Sequence, residues 1–432
     1  HAYRPNGRQP AVTLSTGLGS TRPTVDQPSP SYIKMMLKWE LVDDLMGGTS
    51  RMRNAGRKWL PRETRENSAD YETRLNRSYL YGALKDTVYK LSAKPFSKPV
   101  STEGELPEQL KGILDNADLQ GRDITQFART MFEDGLKYGL SHCLVDFPMT
   151  GGELSLSQER SSGVRPYFCH IKPTDLFAWR SEKQNDGTET LTQIRFREQR
   201  TEYAEGGFGE DVVDYIRVIS PGAWELWRRP PGDKDYLKVD EGTHSFPGIP
   251  LVTFYTLRND FLSSEPPLED LAWMNLAHWQ SMSDQRNILR FSRLGILFAS
   301  GFSEEEIENG IAIGPSKMVH SSNPESKLSY VEHTGRAIGS GEEDLRRMEE
   351  RMEVLGLQPL IASTGNATAT ARAMDEARTH SNIQAWIRGL ENTLEQAFEV
   401  ATQWIGLELK EDFAVDIFND FGVSLNATDD IK

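Results

Sequence analysis

The sequence predicts an α+β protein in which a β-rich module is inserted between two helical halves. Three observations carry this reading. Apolar residues recur with a helical period in the first 140 residues, the spacing drops to two over 141–257, and a helical period returns in the last third.

Composition bounds the possibilities. With 432 residues, 37% of them hydrophobic, the chain has material for one large core or two to three smaller ones. A net charge of -15, from 49 basic and 64 acidic residues, argues against a sequence-specific reader of nucleic acid, which needs clustered Lys and Arg. Such a chain could still surround a polyanion without gripping it. Two cysteines, Cys143 and Cys169, do not make a disulfide scaffold. The sequence holds no run of 18 apolar residues of the kind that spans a bilayer. It opens at His1 rather than Met, as expected of a piece of a longer polypeptide.

Residues 1–30, rich in Pro, Thr, Ser and Gly, read as an arm ordered only by a neighbour if at all. From Tyr32 to Met46 a dense apolar pattern (Ile33, Met36, Leu37, Leu41, Leu45) predicts a helix stopped by Gly47-Gly48. The basic stretch that follows, from Arg51 to Arg65, reads as a solvated loop whose charges pair with nearby acids. One helix is predicted from about Ala69 to Leu91, ending before Lys94-Pro95, and another around Ile124–Leu136. Short β-branched or alternating runs then mark strands at Cys143–Phe147, Tyr167–Ile171, Thr192–Phe196, Val212–Ile219 and Leu251–Tyr255.

The last third begins with a helix over Leu268–Ser292 whose middle, Gln280–Asn287, is polar almost all round, as in a helix that bridges bodies or borders water. Short strands are expected at Ile296–Phe298, Ile311–Ile313 and Leu328–Val331. Over Glu342–Leu355, the residues Leu345, Met348, Met352 and Leu355 form a narrow 3-4-3 stripe flanked by six acids and three arginines. After a loop of small residues, Ser363–Thr368, a strong apolar period runs from about Ala369 to Ile405, about 55 Å of helix if unbroken. Helices of that length usually belong to a coiled coil, a repeat or an assembly.

No catalytic constellation survives inspection, so no enzymatic activity, cofactor or metal is expected. The phosphate-cradling G-x-x-x-x-G-K-[ST], the zinc-binding H-E-x-x-H and the nucleophile turn G-x-S-x-G are all absent. Asn116–Gly121 begins like a calcium loop, but Phe127 stands where the bidentate Glu belongs. His142-Cys143 and Cys169-His170 are adjacent pairs in strands, where neighbouring side chains point to opposite faces. Buried cysteines beside surface histidines are expected there rather than a zinc site. Asn366-Ala367-Thr368 matches a glycosylation acceptor, with nothing to suggest secretion.

The order of helix, strand-and-turn module, helix, small-residue loop and very long helix resembles the portal proteins of tailed bacteriophages. Local sequence carries the same likeness. LNRSYLYGALKDTVYKLSAKPF (75–96) is similar to the start of a portal wing, and LEDLAWMNLAHWQSMSDQRNILRFSRLGILFASGF (268–302) to a first stem helix entering the clip. LSYVEHTGRAIGSGEEDLRRMEERMEVLGLQPLI (328–361) looks like the return into a second stem helix, and TATARAMDEARTHSNIQAWIRGLENTLEQAFEVATQWIGL (368–407) like the helix after the tunnel loop.

The resemblance implies an arm (1–30), a wing (31–267, helical over 31–140 and β-rich over 141–257), a first stem helix (268–292) and a clip (293–337). It further implies a second stem helix (338–356), a tunnel loop (357–368), a long helix (369–405) and a C-terminal segment or small crown (406–432). The implied assembly is a homo-oligomeric ring, typically a dodecamer, at one capsid vertex of the virion, built in the host cytoplasm. Double-stranded DNA passes through its channel without sequence recognition, terminase and the head-to-tail adaptor dock on the clip, and the wing faces the major capsid protein.

Within that frame Ser363, Thr364, Gly365, Asn366 and Thr368 are expected to face DNA, because small uncharged side chains make brief hydrogen bonds to phosphate without a fixed charge. A helix–helix turn with Thr364, Asn366 or Thr368 as N-cap is the plain structural account. Lys317, Asn323, Lys327 and Arg336 are expected at the docking surface of the clip. Leu345, Arg346, Arg347, Met348, Arg351 and Met352 are expected between subunits, the arginines meeting acids of the next copy. Two other classes stay open at this point: a capsid or adaptor protein without a DNA channel, and an enzyme whose site is assembled between subunits.

Overall fold

The computed structural model describes residues 24–148, 164–203, 206–294, 296–303, 323–331, 336–357 and 382–420. The helical first part holds α1 (Pro30–Met46), α2 (Gly48–Ala55), α3 (Ser68–Arg77), α4 (Ala83–Ala93), α5 (Glu108–Asp115) and α6 (Ile124–Tyr138). Caps set several of these starts. The Ser29 hydroxyl accepts from Tyr32 N ahead of Pro30, Asn67 Oδ1 from Asp70 N, and Asp123 Oδ1 from Gln126 N. The spacing that predicts one helix over 69–91 misses a break. Ser78 leaves α3 in an extended conformation, its hydroxyl donating to Arg74 O and lying 2.8 Å from the Ser283 hydroxyl of a distant helix. Leu80 N donates to Thr49 Oγ1, and Tyr81 O accepts from Asn275 Nδ2. Long-range partners thus satisfy the backbone that a continuous helix would have satisfied locally.

The basic stretch after Gly48 is half helix rather than loop, and two of its charges pair with acids, while Arg53 donates to Ser78 O and Arg57 lies over the Tyr71 ring. Arg51 and Lys58 converge on Asp44 at 2.9 and 3.3 Å, and the three hydrogen bonds that Asp44 accepts hold its carboxyl below the usual range against the effect of burial.

At the centre lies a three-stranded antiparallel sheet of order β3–β2–β9, where β2 is Leu140–Asp146, β3 Tyr167–Ile171 and β9 Leu251–Tyr255. Successive β2 residues point to opposite faces, and both faces are covered. Cys143 and Val145 enter the main core with Phe127, Phe132 and Phe398, while Leu144 packs into a second cluster with Ile194 and Phe196. A central strand with two buried faces reads as a near-continuous apolar run rather than an alternation. The second cluster belongs to a five-stranded antiparallel meander, β4 (Leu176–Lys183), β5 (Glu189–Tyr203), β6 (Glu210–Ser220), β7 (Ala223–Arg228) and β8 (Leu237–Thr243). Two-stranded pieces complete the described strands: β10 (Arg258–Asp260) with β11 (Ser263–Ser264), and β12 (Ile296–Ser300) with β13 (Lys327–Val331). A third joins β1 (Ser101–Glu103) to β14 (Ala414–Asp416).

The remaining helices are α7 (Glu269–Leu294), α8 (Arg336–Leu357) and α9 (Asn382–Trp404). The stripe of α9, with Ile387, Leu390, Leu394 and Phe398 all buried, lies on the central sheet. Its described part is about 34 Å long. The Ala369–Ser381 part of the predicted helix lies outside the described residues. No described helix is long and apolar enough to cross a membrane.

Candidate assembly and docking surface

α7 and α8 run antiparallel, with a hairpin inserted between them. Late residues of α7 meet early residues of α8: Gln285 Nε2 donates to Ile338 O at 2.9 Å, and a Cβ on Gly341 would collide with the Gln285 amide. Farther along, His278 of α7 lies 3.0 Å from Glu349 of α8. Past that point α8 crosses α4, where Gly356 passes so close that a Cβ would sit 2.5 Å from Thr87 Oγ1. The polar middle of α7, Gln280–Asn287, does both things expected of it: Asp284 and Arg286 are exposed, and the other face bridges to neighbouring parts of the chain. Ser283 and Gln285 are buried, and Gln280 donates to Trp59 O. Their partners are polar groups of the first eighty residues and of α8, which a helical-wheel reading of α7 alone does not supply.

The stripe on α8 is also used within the chain. Leu345 and Met352, expected between subunits, are 6% and 1% exposed, with Met352 in the main core. This corrects the assignment: a 3-4 stripe packs against whichever helix lies beside it, and here that helix is α7. Met348 is half-buried. Arg346 pairs with Glu343 and Glu350, and Arg347 with Glu343, all along their own helix, while Arg351 is exposed.

The clip residues divide. Asn323 closes the far end of the hairpin, donating to Gly301 O at 3.0 Å and accepting from Glu325 N at 3.0 Å. Lys327 opens β13 opposite Ser300. Arg336 begins α8 in its backbone, with its side chain outside the described residues, as is the whole of Lys317. Phe298 and Leu328 fall on opposite faces of the hairpin by register, yet are 53% and 38% exposed. Each face of the hairpin therefore carries an exposed apolar residue. Ser363, Thr364, Gly365, Asn366 and Thr368, and the Ile311–Ile313 strand, lie outside the described residues.

The histidine–cysteine pairs correct the expectation of surface histidines. His142 is buried and its Nδ1 lies 3.0 Å from Thr253 Oγ1; burial pushes its imidazole down to about 3. His170 Nε2 lies 2.8 Å from Asp134 Oδ2 and 3.3 Å from Ser141 Oγ. The strand alternation is as expected, but both faces are covered: His170 shares the Cys143 face, where it meets Asp134 of α6, and His142 lies on the opposite face with Leu144, Ile171 and Thr253. Ser141, His170 and Asp134 hold the residue types of a nucleophilic triad without its relay, because serine and carboxylate meet the same ring nitrogen. Burial pushes the Cys143 and Cys169 thiols up, which suits apolar filling rather than reaction. The calcium-like loop is a self-bonded turn: Asp118 accepts from Gln120 N and from Arg122, and Asn116 Oδ1 from Gly121 N. Among the described residues no group of three or more His, Cys, Asp or Glu is placed to hold a metal.

Two clefts stand out. One, of about 390 Å³, lies between the five-stranded sheet and α9, with Arg217 holding Asp146 at 3.0 Å and Trp404 stacked on Phe147. The other, of about 570 Å³, opens between α3 and α7 and is lined by Arg74, Arg77, Arg286 and Arg290. Sequence reading missed this second cleft. Its signal is the basic run Arg286, Arg290 and Arg293 at the i, i+4 and i+7 spacing of one helix face, while the α3 wall is visible only in three dimensions.

A family model described as a domain of unknown function (DUF4055) matches residues 267–405, from the start of α7 into the end of α9. No curated protein matches the chain. Among solved structures, the chain is similar to one in the virion of a native gene transfer agent (GTA) particle, at 8% identity and a TM-score of 0.45, over 92% of this chain and 87% of that one. It is also similar to a chain in the neck of an empty GTA particle computed with C6 symmetry, at 9% identity and a TM-score of 0.42, over 78% and 80%. A third is in the neck of a native GTA particle computed with C12 symmetry, at 10% identity and a TM-score of 0.39, over 78% and 81%.

Proposed function

We propose that this chain is a portal-type subunit: copies form a ring at one capsid vertex, DNA passes through the axial channel, and terminase and the adaptor dock on the hairpin end. The single observation that supports this best is the helix–hairpin–helix of α7, β12/β13 and α8. Its two long helices pack antiparallel on the body and carry a strand pair with an exposed apolar residue on each face. Among the described residues no further strand pairs with β12 or β13, and a two-stranded unit is marginal in water on its own, so these exposed residues suit a partner surface. On this reading the protein is a virion component with no catalytic role. Two-dimensional class averages of the purified oligomer test it: a ring with an axial hole is expected, and a shell lattice or a persistent monomer would sink the reading.

Two functional predictions belong to the same frame. Lys317→Glu with Lys327→Glu should leave rings intact and weaken docking of the packaging motor, read as packaging per ring; unchanged packaging removes the electrostatic part. Placing Lys at Ser363 and Asn366 adds two positive charges per copy at the proposed constriction. Phosphate contacts of this kind are additive and salt-sensitive. Packaged DNA length per time should fall at low salt and recover as salt rises, and equal rates for variant and parent at low salt would place this loop away from DNA.

A further inference from the structure

The arginine cleft between α3 and α7 is not absorbed by this function. Arg74, at its back, is 4% exposed and already satisfied: Glu66 accepts from it twice at 2.8 Å, Pro61 O accepts at 2.8 Å, and Asp284 stands 3.7 Å away. Arg77 and Arg286 differ. Both are exposed, and among the described residues neither has a carboxylate within ion-pair distance. Arg286 lies over the Tyr79 ring, 4.9 Å from its centroid, an arrangement that orients the guanidinium without neutralising it. Gathering uncompensated cations in one cleft is unfavourable unless an anion joins them.

That anion is present on the chain itself. Between residues 342 and 355, α8 carries six acids against three arginines, and the arginine pairs run to Glu343 and Glu350. Glu342 and Glu353 are exposed and have no ion-pair partner among the described residues. They are eleven residues apart, about three turns, and so share one flank. Neither pairs with the cleft arginines of its own copy: that α8 packs on α7 through Gln285 and His278 and on α4 through Gly356, with Glu353 on the side of Tyr81 and Lys90.

We propose that the cleft between α3 and α7 receives the carboxylates of Glu342 and Glu353 from a second copy of this chain, with Arg77 and Arg286 as the pairing groups. The contact is heterologous: one copy offers the cleft and the next offers α8, so every copy uses both surfaces once, as a closed ring requires. This rests on the ring reading and names the contact that would close it. A nucleic acid backbone fits the cleft less well, because the carboxylate of Asp284, 58% exposed, stands beside Arg74 and repels a continuous row of phosphates while leaving single carboxylates room to enter.

Charge exchange tests it, with mass measured by light scattering and particles viewed by electron microscopy at low and high salt. R77E/R286E and E342R/E353R should each keep the thermal transition of the parent, since all four side chains are exposed, and each should assemble roughly tenfold or more weakly. Combining all four changes in one chain should restore assembly. Parent-like assembly of R77E/R286E overturns the proposal, and so does failure of the combined chain to recover. If the parent forms open head-to-tail oligomers without a ring, the ring reading fails while rescue still upholds this contact; a parent monomeric at every concentration sinks both. Duplex DNA held by the parent and lost in R77E/R286E, with assembly unchanged, would make phosphate the ligand instead.

Discussion

Replacing Gly139 with alanine is expected to destabilise the protein by several kcal/mol, because a methyl group there meets a backbone atom more closely than at any other described glycine of positive φ. Gly139 ends α6 in the left-handed region, with φ at +89°, and its carbonyl accepts from Thr256 N at 2.9 Å. A left-handed alanine costs about 1–3 kcal/mol in backbone strain. Its methyl group would also sit 2.1 Å from Glu265 O, a backbone atom that can move only by displacing the turn into α7. Overpacking of this kind adds about 1–3 kcal/mol. Gly187 is the comparison: its φ is +86°, and nothing lies within 4 Å of the place a methyl group would take there. Denaturant midpoints of G139A and G187A therefore separate strain from collision. Equal losses in the two variants would show that the turn into α7 yields freely.

Acidification is expected to weaken the fold through His142. The native imidazole is pushed down to about 3 by burial, with the neighbouring His170 acting in the same direction, against an ordinary value of 6.5. The unfolded chain therefore binds a proton below about pH 6.5 that the native state refuses until about pH 3, and stability falls through that window by about 1.4 kcal/mol per pH unit. Between pH 7 and pH 4.5 the loss is about 3 kcal/mol. Asp43 and Asp175 act in the opposite sense, since burial raises both carboxyls and lets the native state take up protons first. Comparison with His142→Asn cancels these common contributions. Urea midpoints at the two pH values should fall more steeply for the parent than for the variant, and parallel declines would refute a buried neutral imidazole.

What could be read in advance follows from how local each signal is. The strand Tyr167–Ile171 and the helix ending at Gly139 needed only alternation, apolar period and a glycine stop. The break at Ser78–Gly82 was illegible because its stabilising partners, Thr49, Asn275 and Ser283, lie up to about two hundred residues away. The same cause hid the burial of Ser283 and Gln285, whose polarity suggests water until α3 and α8 are placed beside them. His142 and His170 misled for a related reason: alternation separates each histidine from its cysteine neighbour, while only the elements packed on the two faces of the sheet decide that both faces are covered. For the assembly surface, the six acids of α8 were visible as a composition, and the arginine cleft was not, because α3 and α7 contribute its walls from distant parts of the sequence.

The pairing of β1 with β14 has a kinetic consequence. Ser101 meets Asp416 across more than three hundred residues, and Glu395 and Glu391 accept from Val415 N and Ile417 N to seat the last strand on the core. Contacts that close so long a loop form late, because chain entropy opposes them until the intervening parts are already compact. During synthesis, β1 waits as an unpaired edge while everything up to α9 is made. A chain released before Ala414 keeps that edge open, and an open edge is a template for adding a strand from another molecule. Copies truncated before β14 should therefore aggregate rather than fold with a missing corner, which makes synthesis of β14 a step that commits each copy to its native state.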